Sequence, residues 1–157
     1  MTQNDLISLV QEIVKDAVRL KDAYTDLRDV TVGYACVFAH GDAEYAELRK
    51  AAESMGQEIK STPTGSVFLV QPMPTVAGSL RVLKIRIPDE TRTERGDADF
   101  NVPDYQKFRI AVMGTPGFTI IPRADCEMIE LMESGADVRV YFSDPPVEKQ
   151  LGLATLE

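Results

Sequence analysis

Three pairs of residues repeat at the two-residue spacing that puts both members on one face of a β-strand: Lys84 with Arg86, Asp97 with Asp99, and Arg139 with Tyr141. Brought together in a partly buried cleft, such cations and carboxylates would hold a small anionic or zwitterionic ligand. An arginine among them would grip a carboxylate or phosphate through two parallel hydrogen bonds. Lys84, Arg86, Asp97, Arg139 and Tyr141 are thus candidate ligand-binding residues. Asp99 is a candidate catalytic group, and so is Glu130, because a carboxylate between apolar neighbours such as Ile129 and Leu131 can act as acid or base. The plainer alternative places Lys84 and Arg86 on a solvated outer strand face.

Other chemistries lack their parts. There is no glycine-rich phosphate loop of Walker or dinucleotide type, and His40 is the only histidine, so no HExxH pair, serine-histidine-aspartate set or zinc-ligand set can be assembled. Cys36 and Cys126 form no CxxC pair and read as small buried hydrophobes. Glu127, Glu130 and Glu133 resemble a carboxylate series, but on a strand Glu130 faces away from the other two.

The elements that must position these residues follow from periodicity. Leu6, Leu9, Val10, Ile13, Val14, Ala17 and Leu20 form an apolar helical stripe within residues 1–29, with Thr2 or Asn4 as cap. That stripe would dock on its own domain or on a twin subunit. Residues 30–39 are rich in β-branched and aromatic side chains, and GDAEYAELRKAAESMG reads as a helix stopped by Gly56. Three short strands follow at 57–61, 66–71 and 79–88, separated by the turn material TPTG and PMPTVAG. After the charged stretch DETRTERGD the order repeats: strand DADFNV, helix DYQKFRIAVMG opened by Pro103 and Asp104, then strands FTII, CEMIELM and DVRVYF. The charged stretch reads as a surface loop with internal salt bridges, or else as a ligand loop. Two prolines after Ser143 end the last strand and release the tail, 144–157, to the surface.

Composition bounds the partners. A chain of 157 residues with 44% hydrophobic content supports one domain with a proper core. Its net charge of -8 opposes general attraction to nucleic acid or anionic lipid. The opening MTQNDLISLVQEIVKD is not a secretory signal and no run is long enough for a membrane span, so a cytoplasmic location is expected.

Two βαβββ units in series, 30–88 and a shorter 97–143, resemble the vicinal-oxygen-chelate superfamily, which includes glyoxalase I, bleomycin-resistance proteins and extradiol dioxygenases. The resemblance implies an α+β fold of paired modules forming a cupped, incomplete barrel, here with an added N-terminal helix. It implies a concave ligand site, often a divalent metal, and a possible homodimer. Metal-binding members carry His or Glu on the first and last strand of each module. Those places fall near Tyr34 or Cys36, Lys84 or Arg86, Asp97 or Asp99, and Arg139 or Tyr141. Tyr34 joins the ligand-binding candidates on this ground. Lysine and arginine repel a metal ion, so no cofactor is expected. The chain then reads as binding or transforming a small anionic metabolite. One alternative is a lyase or isomerase using Mg or Mn on Asp97, Asp99 and Glu130. The other is a non-catalytic interaction module.

Overall fold

A computed structural model describes residues 1–154. The first helix, α1 (Gln3–Tyr24), starts at a reciprocal cap in which Thr2 accepts from the Asp5 amide and Asp5 accepts from the Thr2 amide. Its stripe of Leu6, Val10, Ile13, Val14, Ala17 and Leu20 is buried. Among the described residues no helix is long and apolar enough to cross a membrane.

The first module comprises β1 (Val32–Phe38), α2 (Asp42–Met55), β2 (Gly56–Thr62), β3 (Gly65–Thr75) and β4 (Gly78–Arg86). The second comprises β5 (Gly96–Phe100), α3 (Tyr105–Val112), β6 (Phe118–Pro122), β7 (Glu127–Leu131) and β8 (Val138–Asp144). All eight strands form one sheet in the order β2-β3-β4-β1-β5-β8-β7-β6, open at β2 and β6 and so not closed into a barrel. Read outward from the centre, each half runs first strand, fourth, third, second. The halves join antiparallel through β1 and β5, while β4 lies parallel to β1 and β8 parallel to β5. The expected α+β architecture of paired βαβββ modules is what the chain adopts.

Alternation divides each strand between two environments. Ala35, Val37, Leu83, Ile85, Ala98, Val140 and Phe142 belong to the core beneath the helices. Helix α1 spans the joint, packing on β1, β5 and β8, and Phe108 of α3 sets its ring 4.6 Å from that of Phe142. The residues between them, Tyr34, Cys36, Lys84, Asp97, Asp99 and Tyr141, turn to the concave face.

Two boundaries depart from the sequence expectation. PMPTVAG is not a turn throughout: β3 runs on to Thr75, because the pairing slips between Leu69 and Met73 and Pro72 falls where no ladder donor is required. The tail is not released at Pro145 and Pro146 either. A short helix, α4 (Val147–Gln150), follows Pro146 and folds back over the concave face. Arg81 of β4 fixes it by donating to Glu148 Oε2 at 3.0 Å and to the Ala154 carbonyl.

Candidate functional site

Strand register decides what meets on the concave face. One lateral row passes from Lys60 through Val67, Lys84, Cys36 and Asp97 to Arg139. The next passes from Tyr34 through Asp99 and Tyr141 to Glu130. These rows floor a cavity of about 390 Å³, at the small end of the range of ligand pockets. Of the eight residues singled out from sequence, Tyr34, Lys84, Arg86, Asp97, Asp99, Glu130 and Tyr141 line it.

Arg139 is placed differently. It faces the same side, but Nε reaches Glu94 Oε2 at 2.5 Å, Nη2 reaches Oε1 at 3.3 Å, and Nη1 lies 3.5 Å from Glu130 Oε2. With both carboxylates around it, Arg139 supports the site and is not offered to a ligand. Glu130 is likewise committed, accepting a 2.6 Å bond from the Tyr141 hydroxyl as well. Burial would raise Glu94, yet the Arg139 guanidinium outweighs it and holds this carboxyl below the usual range.

The aspartates behave in the opposite way. Asp97 and Asp99 are 6% and 3% exposed, and they share a strand face. Burial, helped by the charge of Asp99, pushes Asp97 up to about 7, although Arg92, Lys84 and Arg86 pull the other way. Burial also pushes Asp99 up to about 7, opposed by hydrogen bonds from Ser143. Both therefore exchange protons near neutrality. Among the described residues, Asp97 Oδ1 is buried with no hydrogen-bond partner, and so is Nε of Arg86. A buried polar atom left without a partner costs about 1–3 kcal/mol, which a ligand able to reach it would recover.

Around the aspartates stand the cations. Lys84 Nζ donates to Thr64 Oγ1 at 2.6 Å, and burial lowers its affinity for the proton. The Arg86 and Arg92 guanidinium carbons lie 5.9 and 5.6 Å from the centre of the Phe38 ring, so both cations share one aromatic neighbour. Among the described residues Arg86 has one salt-bridge partner, Asp89 at 3.4 Å. Lys60 and Arg123 complete the cationic lining.

Sequence reading missed Arg92 and Lys60. The signal for Arg92 was the density of charge in 89–96, whose pairs are not mainly internal as expected. They tie the loop to the sheet and to α2, through Glu94 with Arg139 and Arg95 with Glu44. Lys60 had no such signal, since its place follows only from the pairing of β2 with β3. Cys36 is buried as expected, with its thiol pushed upward by burial and by Asp97, whereas Cys126 is only half-buried. His40 stands outside the cavity, its ring 3.0 Å from the Glu94 carbonyl oxygen.

The vicinal-oxygen-chelate resemblance implied metal ligands on the first and last strand of each module. Lys84 and Arg139 occupy two of the four strands concerned, and among the described residues no three His, Cys, Asp or Glu side chains are grouped to hold a metal ion. This donor set does not fit a divalent metal.

No family model matches the chain, and no curated protein does. A solved structure described as "Structural Genomics, Protein EC4020" is similar to it with a TM-score of 0.73 and 14% identity, over 95% of this chain and 91% of that one. At that identity the likeness is one of fold, and it extends across both modules.

Proposed function

We propose that the concave face binds a small organic anion, gripped by Lys84, Arg86 and Arg92, and that Asp97 and Asp99 handle a proton in its transformation. The observation that carries this reading is the gathering of cations and buried carboxyls on one cavity: Arg86 and Asp97 both line it, and beneath its surface Arg86 Nε and Asp97 Oδ1 have no hydrogen-bond partner among the described residues. In a chain of net charge -8, gathering Lys60, Lys84, Arg86, Arg92 and Arg123 around a single cavity needs a reason, and an anionic ligand supplies one. Two carboxyls that titrate near 7 can divide the work of proton transfer, one accepting a proton from the ligand while the other returns one. This assigns to Asp97 the role the sequence suggested for Glu130, whose carboxylate is already engaged by Tyr141 and Arg139. The strand order of the two halves supports kinship with the vicinal-oxygen-chelate superfamily, with a proton-transfer site where that superfamily places a metal.

Calorimetric titration with small carboxylates and inorganic phosphate tests the reading. Arg86→Ala removes a charged hydrogen-bond donor, so it is expected to weaken binding by about ten- to a hundredfold. If no anion binds the wild type, or if Arg86→Ala and Lys84→Ala bind as the wild type does, the reading fails.

A further inference from the structure

The two halves of the cavity differ in chemistry. The first module contributes Lys60, Lys84 and Arg86, with the hydroxyls of Thr62 and Thr64 between them. Across the aspartates the far wall is apolar: Ile121 of β6 and Met128 of β7 lie side by side in register. Val147 and Leu151, from α4 and its end, complete that wall. All four are only partly buried, so each presents apolar surface to the cavity. Arg123, the cation lining this side, sits exposed in the β6–β7 turn, where water solvates it.

Resting on the anion-binding reading, we infer that the ligand is an amphiphilic monoanion, its acid group on Lys84, Arg86 and Arg92 and its apolar body along Ile121, Met128, Val147 and Leu151. A uniformly polar ligand such as phosphate would leave that far wall wet, and an uncharged one would leave the cations unpaired. The size agrees: a cavity of about 390 Å³ lies at the small end of the range for small-molecule sites. Between the two ends lie Asp97 and Asp99, on the floor of the cavity. Asp97 is two strands from Lys84 in one lateral row, on the order of 10 Å at the usual strand spacing. A ligand of that reach carries its body past these carboxyls, and that is where a proton would be moved.

The experiment is a titration of the full chain with butanoate, hexanoate and octanoate, together with hexanamide, hexanedioate and inorganic phosphate. Affinity is expected to rise along the acid series, toward about fourfold per methylene where burial is complete. Hexanamide is expected not to bind, and hexanedioate to bind more weakly than hexanoate. Ile121→Asn and Leu151→Ser, each checked for an intact thermal transition, are expected to shrink the ratio of octanoate to butanoate affinity. Equal affinity for every chain length, or tighter binding of hexanedioate through Arg123, overturns the amphiphile. If Arg86→Ala still weakens those ligands, the anion-binding reading survives that result. Failure of every acid and of phosphate to bind removes both.

Discussion

Asp97 stands in a crowded electrostatic setting. Burial and the charge of Asp99 on its own strand disfavour its charge, and together with their own burial its charge keeps the Cys36, Tyr34 and Tyr141 groups beside it protonated. Lys84 and Arg86 of β4 and Arg92 of the 89–96 loop favour it. An incoming anion adds one more negative charge to this balance, so it binds best while the aspartates keep their protons. With both titrating at about 7, anion affinity is expected to hold steady at acid pH and fall above neutrality. For one linked proton the fall approaches about tenfold per pH unit. Titration with hexanoate from pH 5.5 to 8.5 measures it, and Asp97→Asn should make the profile shallower. Affinity rising with pH in the wild type would exclude the coupling. Arg139 shows the limit of what residue spacing reveals. Alternation placed it on the correct face, but its role is set by Glu94, 45 positions earlier, and no local pattern announces that pair. Lys84 and Arg86 were legible because their strand is central and its two faces differ sharply in chemistry.

At the level of elements, the joint between β1 and β5 brings the two halves of the site together, and it depends on Gly96. A Cβ there would lie 2.2 Å from the Cys36 carbonyl oxygen and 2.9 Å from Ile13 Cδ1 of α1. Neither neighbour retreats easily, one being backbone and the other a fully packed side chain. Gly96→Ala is therefore expected to cost about 1–3 kcal/mol, as overpacking does, with the loss centred on the pairing of the modules. Urea denaturation of the variant tests this, and a change within about 0.5 kcal/mol of wild type would show that the joint yields. The helices and most strands were legible because period, caps and turns agree, as in the Thr2 and Asp5 cap and the alternation of β8. The run of β3 through two prolines was not, since it relies on a slip in pairing with β4 that only the assembled sheet defines. Helix α4 escaped for a related reason. Four residues carry too little periodicity to read, and the ion pair of Glu148 with Arg81 that seats it joins residues far apart in the chain.

For the whole molecule, the carboxyls divide into two groups with opposite effects on stability. Glu44, Glu94 and Glu127 resist protonation in the fold, the first two because Arg95 and Arg139 outweigh their burial, the third because Arg109 donates to it directly. Their contribution is complete above the unfolded value of about 4.5 and disappears as pH falls through their lower folded values. Asp97 and Asp99 are raised from 3.8 to about 7, so the folded chain holds their protons more tightly than the unfolded chain does. Their contribution is complete below 3.8 and is lost as pH rises to about 7. Growing net negative charge above the isoelectric point of about 4.7 acts in the same direction as this second loss. The gain ends at about 4.5 and the loss begins at 3.8, so stability should peak between about pH 4 and 4.5, below the more usual range of about 5 to 8, and decline toward neutrality. The slope is set by the protons released on unfolding, at most about 1.4 kcal/mol per pH unit for each. Asp97→Asn removes one of the two ionising groups, so its decline between pH 5 and 7 should be distinctly shallower. Urea midpoints across pH 4 to 8 for both proteins decide the matter. A wild type equally stable or more stable at pH 7.5 than at pH 5 would mean that the two aspartates are charged at little cost, and the proton-transfer role assigned to them would lose its physical basis.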